Sequence, residues 1–267
     1  MKKIYRILLT GSICLSLTVL TSSSDSVAQK IIFTISSGIF GIVISSIYEY
    51  VDTHNQGFKT WFATQVKFRE ENIRLSFSYL FRIEVNGKYL LVRGHRMNNQ
   101  YQPIGGVYKV YDEGKSFLNQ IHAVSDTSMG NFDETDDLRM QIKGKYYFKF
   151  WDWFESMKDR EYDPRREFEE ELIDTGILPA KPFRKLKYRK VCAHNVGLTY
   201  SQPLQIHEVV YADIFEIKLT DYQKQIIQTA IEQHPTQICL ATIDEILCRR
   251  YGNSLTMNLG NNTPWII

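Results

Sequence analysis

Cysteine is scarce in this chain. The four present, Cys14, Cys192, Cys239 and Cys248, show neither a close pairing pattern nor metal-ligand spacing. That excludes a disulfide-stapled scaffold and points to free thiols in a reducing compartment. Excess charge is also missing. The 32 Lys and Arg against 30 Asp and Glu leave a net charge of +2, too little for bulk binding to a DNA or RNA polymer. There is no phosphate-binding P-loop, no internal repeat and no Ser-His-Asp set. His207-Glu208 lacks the second histidine of a zinc helix, and His194 stands alone; both are expected to be ordinary structural residues.

What is present suits one globular domain plus an appendage. At 43% apolar and 23% charged residues, the chain can bury a real core. The appendage is N-terminal. Ile7 to Ser24 and Ile31 to Tyr48 are each 18 residues without a charge, near the lower limit for a membrane-spanning helix. The expected arrangement is a two-helix transmembrane hairpin within residues 1–50. Ser37, Gly41 and Ser45 recur every four residues, a stripe that allows close helix packing in lipid. Lys2, Lys3 and Arg6 favour a cytoplasmic N-terminus, so a hairpin would return the remaining chain to the cytoplasm. The alternative is a signal peptide cleaved near Ser26-Val27-Ala28, which would leave one helix and a domain that could face outward. Residues 51–70 form a connector and 71–267 the globular domain.

Within that domain the most informative stretch is Asp163 to Ile177. Asp163 is a good N-cap, Pro164 suits the first helical position and Gly176 offers a stop. Between them Glu167, Glu170 and Glu171 are spaced i, i+3, i+4 and share one helical face. Three like charges on one face repel unless a cation sits among them, and hard carboxylate oxygens suit Mg²⁺ or Mn²⁺. Arg166 can pair with one of them. A solvated acidic face would show the same spacing. Upstream, Ile73 to Phe81 and Lys88 to Arg93 have strand character around an Asn86-Gly87 hairpin turn. Tyr101-Gln-Pro-Ile-Gly-Gly-Val-Tyr108 follows.

Gly105-Gly106 and then Arg166-Glu167-Phe168-x-Glu170-Glu171 resemble the NUDIX family box. The resemblance implies an α+β fold, a mixed β-sheet flanked by helices. It also implies Glu167, Glu170 and Glu171 as metal ligands, with Glu167 a ligand or the catalytic base if the chain is active. Three features depart from the box. Gly106 and Arg166 lie 60 positions apart, so about 46 residues are inserted, roughly 112–160. The box glutamate has no secure counterpart: Asp112 sits at its spacing but on the wrong side of the insertion, and Asp112 or Glu113 would have to reach the site to replace it. Four residues rather than one separate Glu171 from Gly176.

Of the remaining segments, one has a single interpretation and two have a pair. Asp126 to Asp137 has loop composition. Tyr146 to Phe154 is dense in aromatics that either cover the sheet and the glutamate helix or stack on bases. Lys181 to Lys190 is basic, and either binds phosphate or forms a solvated strand face near anionic lipid. Ile206 to Leu219 is expected as a strand, Asp221 to Gln233 as a helix capped by Thr220, and Ile243 to Arg250 as a last short helix.

The order of parts, a membrane hairpin before a divergent NUDIX domain, resembles the membrane-anchored NUDIX effectors of bacterial CBASS antiphage systems. That resemblance implies a cytoplasmic domain at the inner membrane that senses a cyclic nucleotide and drives membrane damage, with homo-oligomer formation on activation. The pocket residues expected for the nucleotide are Arg93, Arg96, Tyr101, Gly105, Gly106 and Arg166. Two other functions fit the residues: a Mg²⁺-dependent hydrolase of nucleoside diphosphate compounds, and a non-catalytic membrane adaptor.

Overall fold

A computed structural model describes residues 26–27, 30–39, 41–42, 55–94, 100–126 and 136–267. The chain divides into two units between Phe62 and Ala63. In the first, residues 30–39 are helical, with Ile31, Ile32, Phe33, Ile35 and Ile39 exposed, and Asn55–Phe62 forms α1. Among the described residues, no helix is long and apolar enough to cross a membrane. The stretch 7–24, residues 43–48 of the second apolar stretch, Ser45 and Cys14 lie outside the described residues.

The second unit is built around β1, Asn72–Arg82. Its inward positions Ile73, Leu75, Phe77, Tyr79 and Phe81 are fully buried, the period of two that a strand imposes. On one side β1 runs parallel to β9 (Ile206–Ile217) over Arg74 to Arg82. On the other it pairs antiparallel with β7 (Arg139–Lys143) over its first half and with β5 (Gly105–Val107) over its second. β6 (Val124–Ser125) and the 14-residue β8 (Tyr188–Ser201) extend this sheet to six strands. A second sheet holds β2 (Glu84–Val85), β3 (Lys88–Arg93), β4 (Tyr101–Gln102) and β10 (Ile238–Ala241).

The Asn86-Gly87 turn is where the sequence puts it. Both residues have positive φ, 52° and 78°, as a primed hairpin turn requires. It joins β2 to β3, however; the long strand β1 belongs to the other sheet. The insertion supplies α2 (Asp112–Gln120), β6, β7 and α3 (Tyr147–Glu155). Of the expected loop Asp126 to Asp137, residues 127–135 lie outside the described residues.

The aromatics of α3 cover the sheet. Tyr147, Phe150 and Phe154 are buried. Phe77 of β1 meets Phe150 edge-on at 4.9 Å and Phe154 at 4.7 Å, and stacks on Tyr211 at 5.2 Å. Polar groups are buried here too, and one of them meets this aromatic layer. Asp213 of β9 accepts from Tyr108 (2.7 Å) and Tyr211 (2.6 Å) and pairs with Lys190 (2.6 Å), so its burial is compensated.

The helices close the fold as their caps dictate. Thr220 makes a capping box with Gln223 before α5 (Asp221–Gln233), and Thr242 makes one with Glu245 before α6 (Ile243–Cys248), which ends two residues earlier than the sequence suggests. His194 stacks on Trp265 at 4.2 Å and His207 lies against Phe68 at 4.0 Å, both structural. Of the basic segment, Lys185 and Lys187 precede the strand and are exposed, while Arg189 pairs with Glu216.

Phe77 is the hinge of the aromatic layer. Phe77→Ala is expected to lower unfolding free energy by about 3–5 kcal/mol. Truncation of the exposed Tyr162 should change it by less than about 0.5 kcal/mol. Denaturant titration of both variants checks this.

Candidate functional site

The acidic helix is shorter and wider than its sequence predicts. Arg165–Phe168 form one α-turn, α4, and Glu169–Ile173 then form a π-turn, closed by the Asp174 amide on Glu169 at 2.8 Å. Such π-turns occur often at functional sites. Pro164 occupies the cap position, while Asp163 accepts from the Arg165 amide (3.0 Å) and from the Tyr188 hydroxyl (2.5 Å). Gly176, at φ 76°, ends the segment.

Arg166 organises this segment. Its Nε and Nη2 grip Glu161 at 2.9 and 3.2 Å, a two-point contact. Nη1 donates to Glu167 at 2.7 Å and to Glu170 at 3.2 Å. Nη2 also reaches the Val107 carbonyl of β5 at 3.2 Å and the Tyr79 hydroxyl at 3.4 Å. One guanidinium therefore ties the helix to both β1 and β5. Charge-assisted, bidentate contacts of this type are the strong ones.

Glu161 is the residue that sequence reasoning missed. It puts a buried carboxylate on the arginine. Its side chain is only 8% exposed. Its amide donates to the Lys109 carbonyl at 2.8 Å, and its carboxylate accepts from the Lys109 amide at 3.1 Å. Beside it, the buried Arg160 guanidinium lies over Phe154 at 3.8 Å and Tyr108 at 4.9 Å and donates to the Glu161 carbonyl at 2.6 Å. The available signal was an acidic residue just upstream of Arg166, at a spacing the box does not use. Asp112 does not take this place. Its side chain is 92% exposed and pairs with Lys115, because it opens a surface helix; Glu113, next to it, is exposed too.

The two glycines make room for the helix. A Cβ on Gly106 would lie 1.9 Å from the Glu167 carboxylate, and one on Gly105 would lie 2.1 Å from the Tyr79 carbonyl. A side chain on Gly106 would push the acidic segment off the sheet, and one on Gly105 would collide with β1. Without one, the Gly105 amide donates to Glu171 at 3.3 Å.

The three glutamates differ in their surroundings. Glu170 is 52% exposed. Glu167 is held above its ordinary value, first by burial and then by the charges of Glu170 and Glu161, against the pull of Arg166. The Glu171 carboxyl is pushed up to about 8 by burial and by Glu167, with the Gly105 amide opposing. Their hard oxygens suit Mg²⁺ chemically. The arrangement does not fit it: among the described residues no three acidic, histidine or cysteine side chains gather as a ligand set. Glu167 and Glu170 are turned to Arg166, and Glu171 to Gly105.

Glu171 also faces a cleft of about 430 Å³, within the range of ligand pockets. Val92, Arg93, Gly94 and Gln237 form its sheet wall, and Glu171, Thr175 and Ile177 its helix wall. Of the residues expected at the ligand, Arg93 lines this cleft. Gly105, Gly106 and Arg166 support the carboxylates behind it. Tyr101, paired opposite Arg93 on β4, is not among the lining residues: its ring is edge-on to Tyr251 at 5.7 Å and its hydroxyl turns to the Pro235 and Thr236 carbonyls at 3.4 Å. Arg96 lies outside the described residues. Thr175, Ile177 and Gln237 were not anticipated, since only the fold brings them together.

Two outcomes follow. Glu161→Gln should cost about 1.5–3 kcal/mol, whereas Asp112→Asn should cost less than about 0.5 kcal/mol; denaturant titration separates them. Glu171 is protonated in the folded protein and ionised in the unfolded chain between pH 4.5 and about 8. Its contribution to stability is therefore full below 4.5 and is lost as pH rises through about 8. Glu171→Gln should remove on the order of 1–3 kcal/mol of that loss, read from melting curves at acidic and alkaline pH.

Residues 72–267 match the model of the SMODS-associated NUDIX domain. No curated protein matches the chain. The match spans well over half of the chain, and the α+β architecture of helix-flanked sheets agrees with it. The chain belongs to the SMODS-associated NUDIX family of CBASS-associated effectors.

Proposed function

We propose that this protein is the sensing effector of a bacterial CBASS defence system, with a NUDIX domain that binds a cyclic nucleotide and leaves it intact. One observation carries the proposal. Arg166 holds Glu161, Glu167 and Glu170 together, so the carboxylates that would serve hydrolysis are engaged with each other's counter-charge. The neighbouring cleft meanwhile keeps a cationic wall at Arg93 and an acidic one at Glu171. A fold of this kind retains a place for base and phosphate without an assembled hydrolytic centre. Ligand-driven assembly of these domains would cluster the N-terminal apolar segments in the inner membrane. Membrane disruption and abortive infection would follow. The domain is then cytoplasmic, the bilayer and further copies of the chain are its partners, and no DNA or RNA polymer is.

The test uses Ala63–Ile267 with cyclic di- and trinucleotides and with linear nucleoside diphosphate compounds, in Mg²⁺. Calorimetry reports binding, and chromatography reports whether the ligand survives. One cyclic nucleotide is expected to bind with a Kd of about 1 μM or tighter, roughly 8 kcal/mol, and to be recovered unchanged. Turnover that disappears in Glu170→Gln would make the chain a Mg²⁺-dependent hydrolase instead. Neither binding nor turnover would leave a membrane adaptor.

A further inference from the structure

Three segments meet at the end of the sheet where the chain enters the second unit. Residues 63–71 lead into β1, Gly144 follows β7, and residues 202–205 turn β8 into β9. Hydrogen bonds and ring contacts tie them together. The Gly144 amide donates to the Glu71 carbonyl at 3.0 Å, and the Lys145 amide to the Arg69 carbonyl at 3.0 Å. A Cβ on Gly144 would lie 2.3 Å from the Phe68 carbonyl, so the first two segments are in direct contact. His207 meets the Phe68 ring at 4.0 Å and the Tyr200 ring at 5.0 Å, which brings in the third.

This end presents cations and apolar tips together. Lys67, Arg69, Lys143 and Lys145 gather here, against the carboxylates of Glu70 and Glu71. Glu70 is shared by Lys145 at 2.7 Å, Lys143 at 3.6 Å and Arg69 at 3.7 Å, and Glu71 is exposed. Lys67 lies over the Phe68 ring at 4.8 Å. On the same three segments Val66, Leu204 and Tyr200 are 54%, 51% and 44% exposed. Apolar side chains gain nothing by facing water. Set among lysine and arginine, they suit the headgroup layer of an anionic membrane. Covalent reach favours the same partner. Ala63 opens this unit 15 residues after Tyr48, where the second uncharged stretch ends, and that length of chain spans at most about 50 Å.

We propose that this end of the domain docks on the anionic lipid headgroups of the bilayer. The inference rests on the membrane placement proposed above and names the face of the domain that meets the lipid. Acidic phospholipid headgroups would pair with Lys67, Arg69, Lys143 and Lys145, whose charge outweighs that of Glu70 and Glu71. Val66 and Leu204 would enter the layer, and the Tyr200 ring would sit at its level. The strand registers place the other basic segment elsewhere. Tyr188 pairs with Ile217, one residue past the partner of Arg82, so Lys185 and Lys187 lie beyond the opposite end of β1, roughly 30 Å away. The cleft beside Glu171 belongs to that far half as well, since Gly105 pairs with Leu80. Docking therefore leaves the ligand's entrance away from the lipid.

The experiment places the whole chain in nanodiscs of neutral phosphatidylcholine and in nanodiscs containing anionic phosphatidylglycerol. Mass spectrometry then follows acylation of each lysine. Lys67, Lys143 and Lys145 are expected to react at least about threefold more slowly in anionic discs, while Lys185 and Lys187 keep one rate. Salt at about 1 M, which shortens the screening length to about 3 Å, should remove the protection. Lys67→Glu and Leu204→Glu should each weaken it at the remaining lysines. Equal rates in the two discs, or protection of Lys185 and Lys187 instead, overturn the docking face and leave membrane anchoring intact. Equal protection by free inorganic phosphate beside neutral discs overturns lipid as the partner. A chain that enters neither disc overturns the transmembrane arrangement; docking is then decided by flotation, expected with anionic vesicles alone. Flotation with both kinds of vesicle, or with neither, overturns it. The comparison of discs needs only the unaltered protein, so it decides the matter even if a variant fails to fold.

Discussion

The guanidinium of Arg166 is the constraint on which the site depends. Its donors are divided among three carboxylates, a β5 carbonyl and the Tyr79 hydroxyl, so it acts at once as a counter-charge and as a bracket. Carboxylates so close together cannot pack against a sheet without a cation. Arg166 supplies that cation from within the acidic segment. The segment can then lie directly on Gly105 and Gly106, where any Cβ would collide with it or with the strand beneath. The close approach of helix and strand and the charge balance of the site are thus two aspects of one contact.

The parts of this arrangement set by local rules are visible in the amino-acid order. Strand alternation marks β1, the Asn86-Gly87 pair marks a hairpin turn, Thr220 marks a helix start, and Arg166 through Glu171 marks the acidic turn. Parts set by tertiary pairing are not. Nothing around Ile83 signals that the chain leaves one sheet and enters another, because both strands are apolar and similar in pattern. The π-turn at Glu169–Ile173 was equally hidden, since its sequence is that of a good α-helix.

Glu161 shows the limit of motif spacing most clearly. A box glutamate is defined by its distance along the chain, but Arg166 requires only a carboxylate within reach. Here the insertion returns to the sheet at Arg160, which bridges to Val110, and the next residue points its carboxylate at the arginine. The ends of the insertion are thereby stitched beside β5, and α2, β6, β7 and α3 can elaborate the sheet without disturbing the acidic turn. An insertion of this size is tolerated because closing a longer loop adds little entropy cost, provided its two ends are held close. Arg160, wedged over Phe154 and Tyr108, holds them.

The same charge balance explains why Glu171 differs from its neighbours. Arg166 serves Glu161, Glu167 and Glu170, and its reach ends there. Glu171 lies one residue further along, inside the widened turn, where the donor offered among the described residues is a single amide at 3.3 Å. A buried carboxyl with so little compensation costs stability when it ionises. Leucine or methionine at that position would avoid the cost, yet the carboxyl stands at the wall of the cleft. The site therefore places its unsatisfied hydrogen-bonding capacity where an incoming molecule can meet it, and keeps the satisfied carboxylates behind as framework.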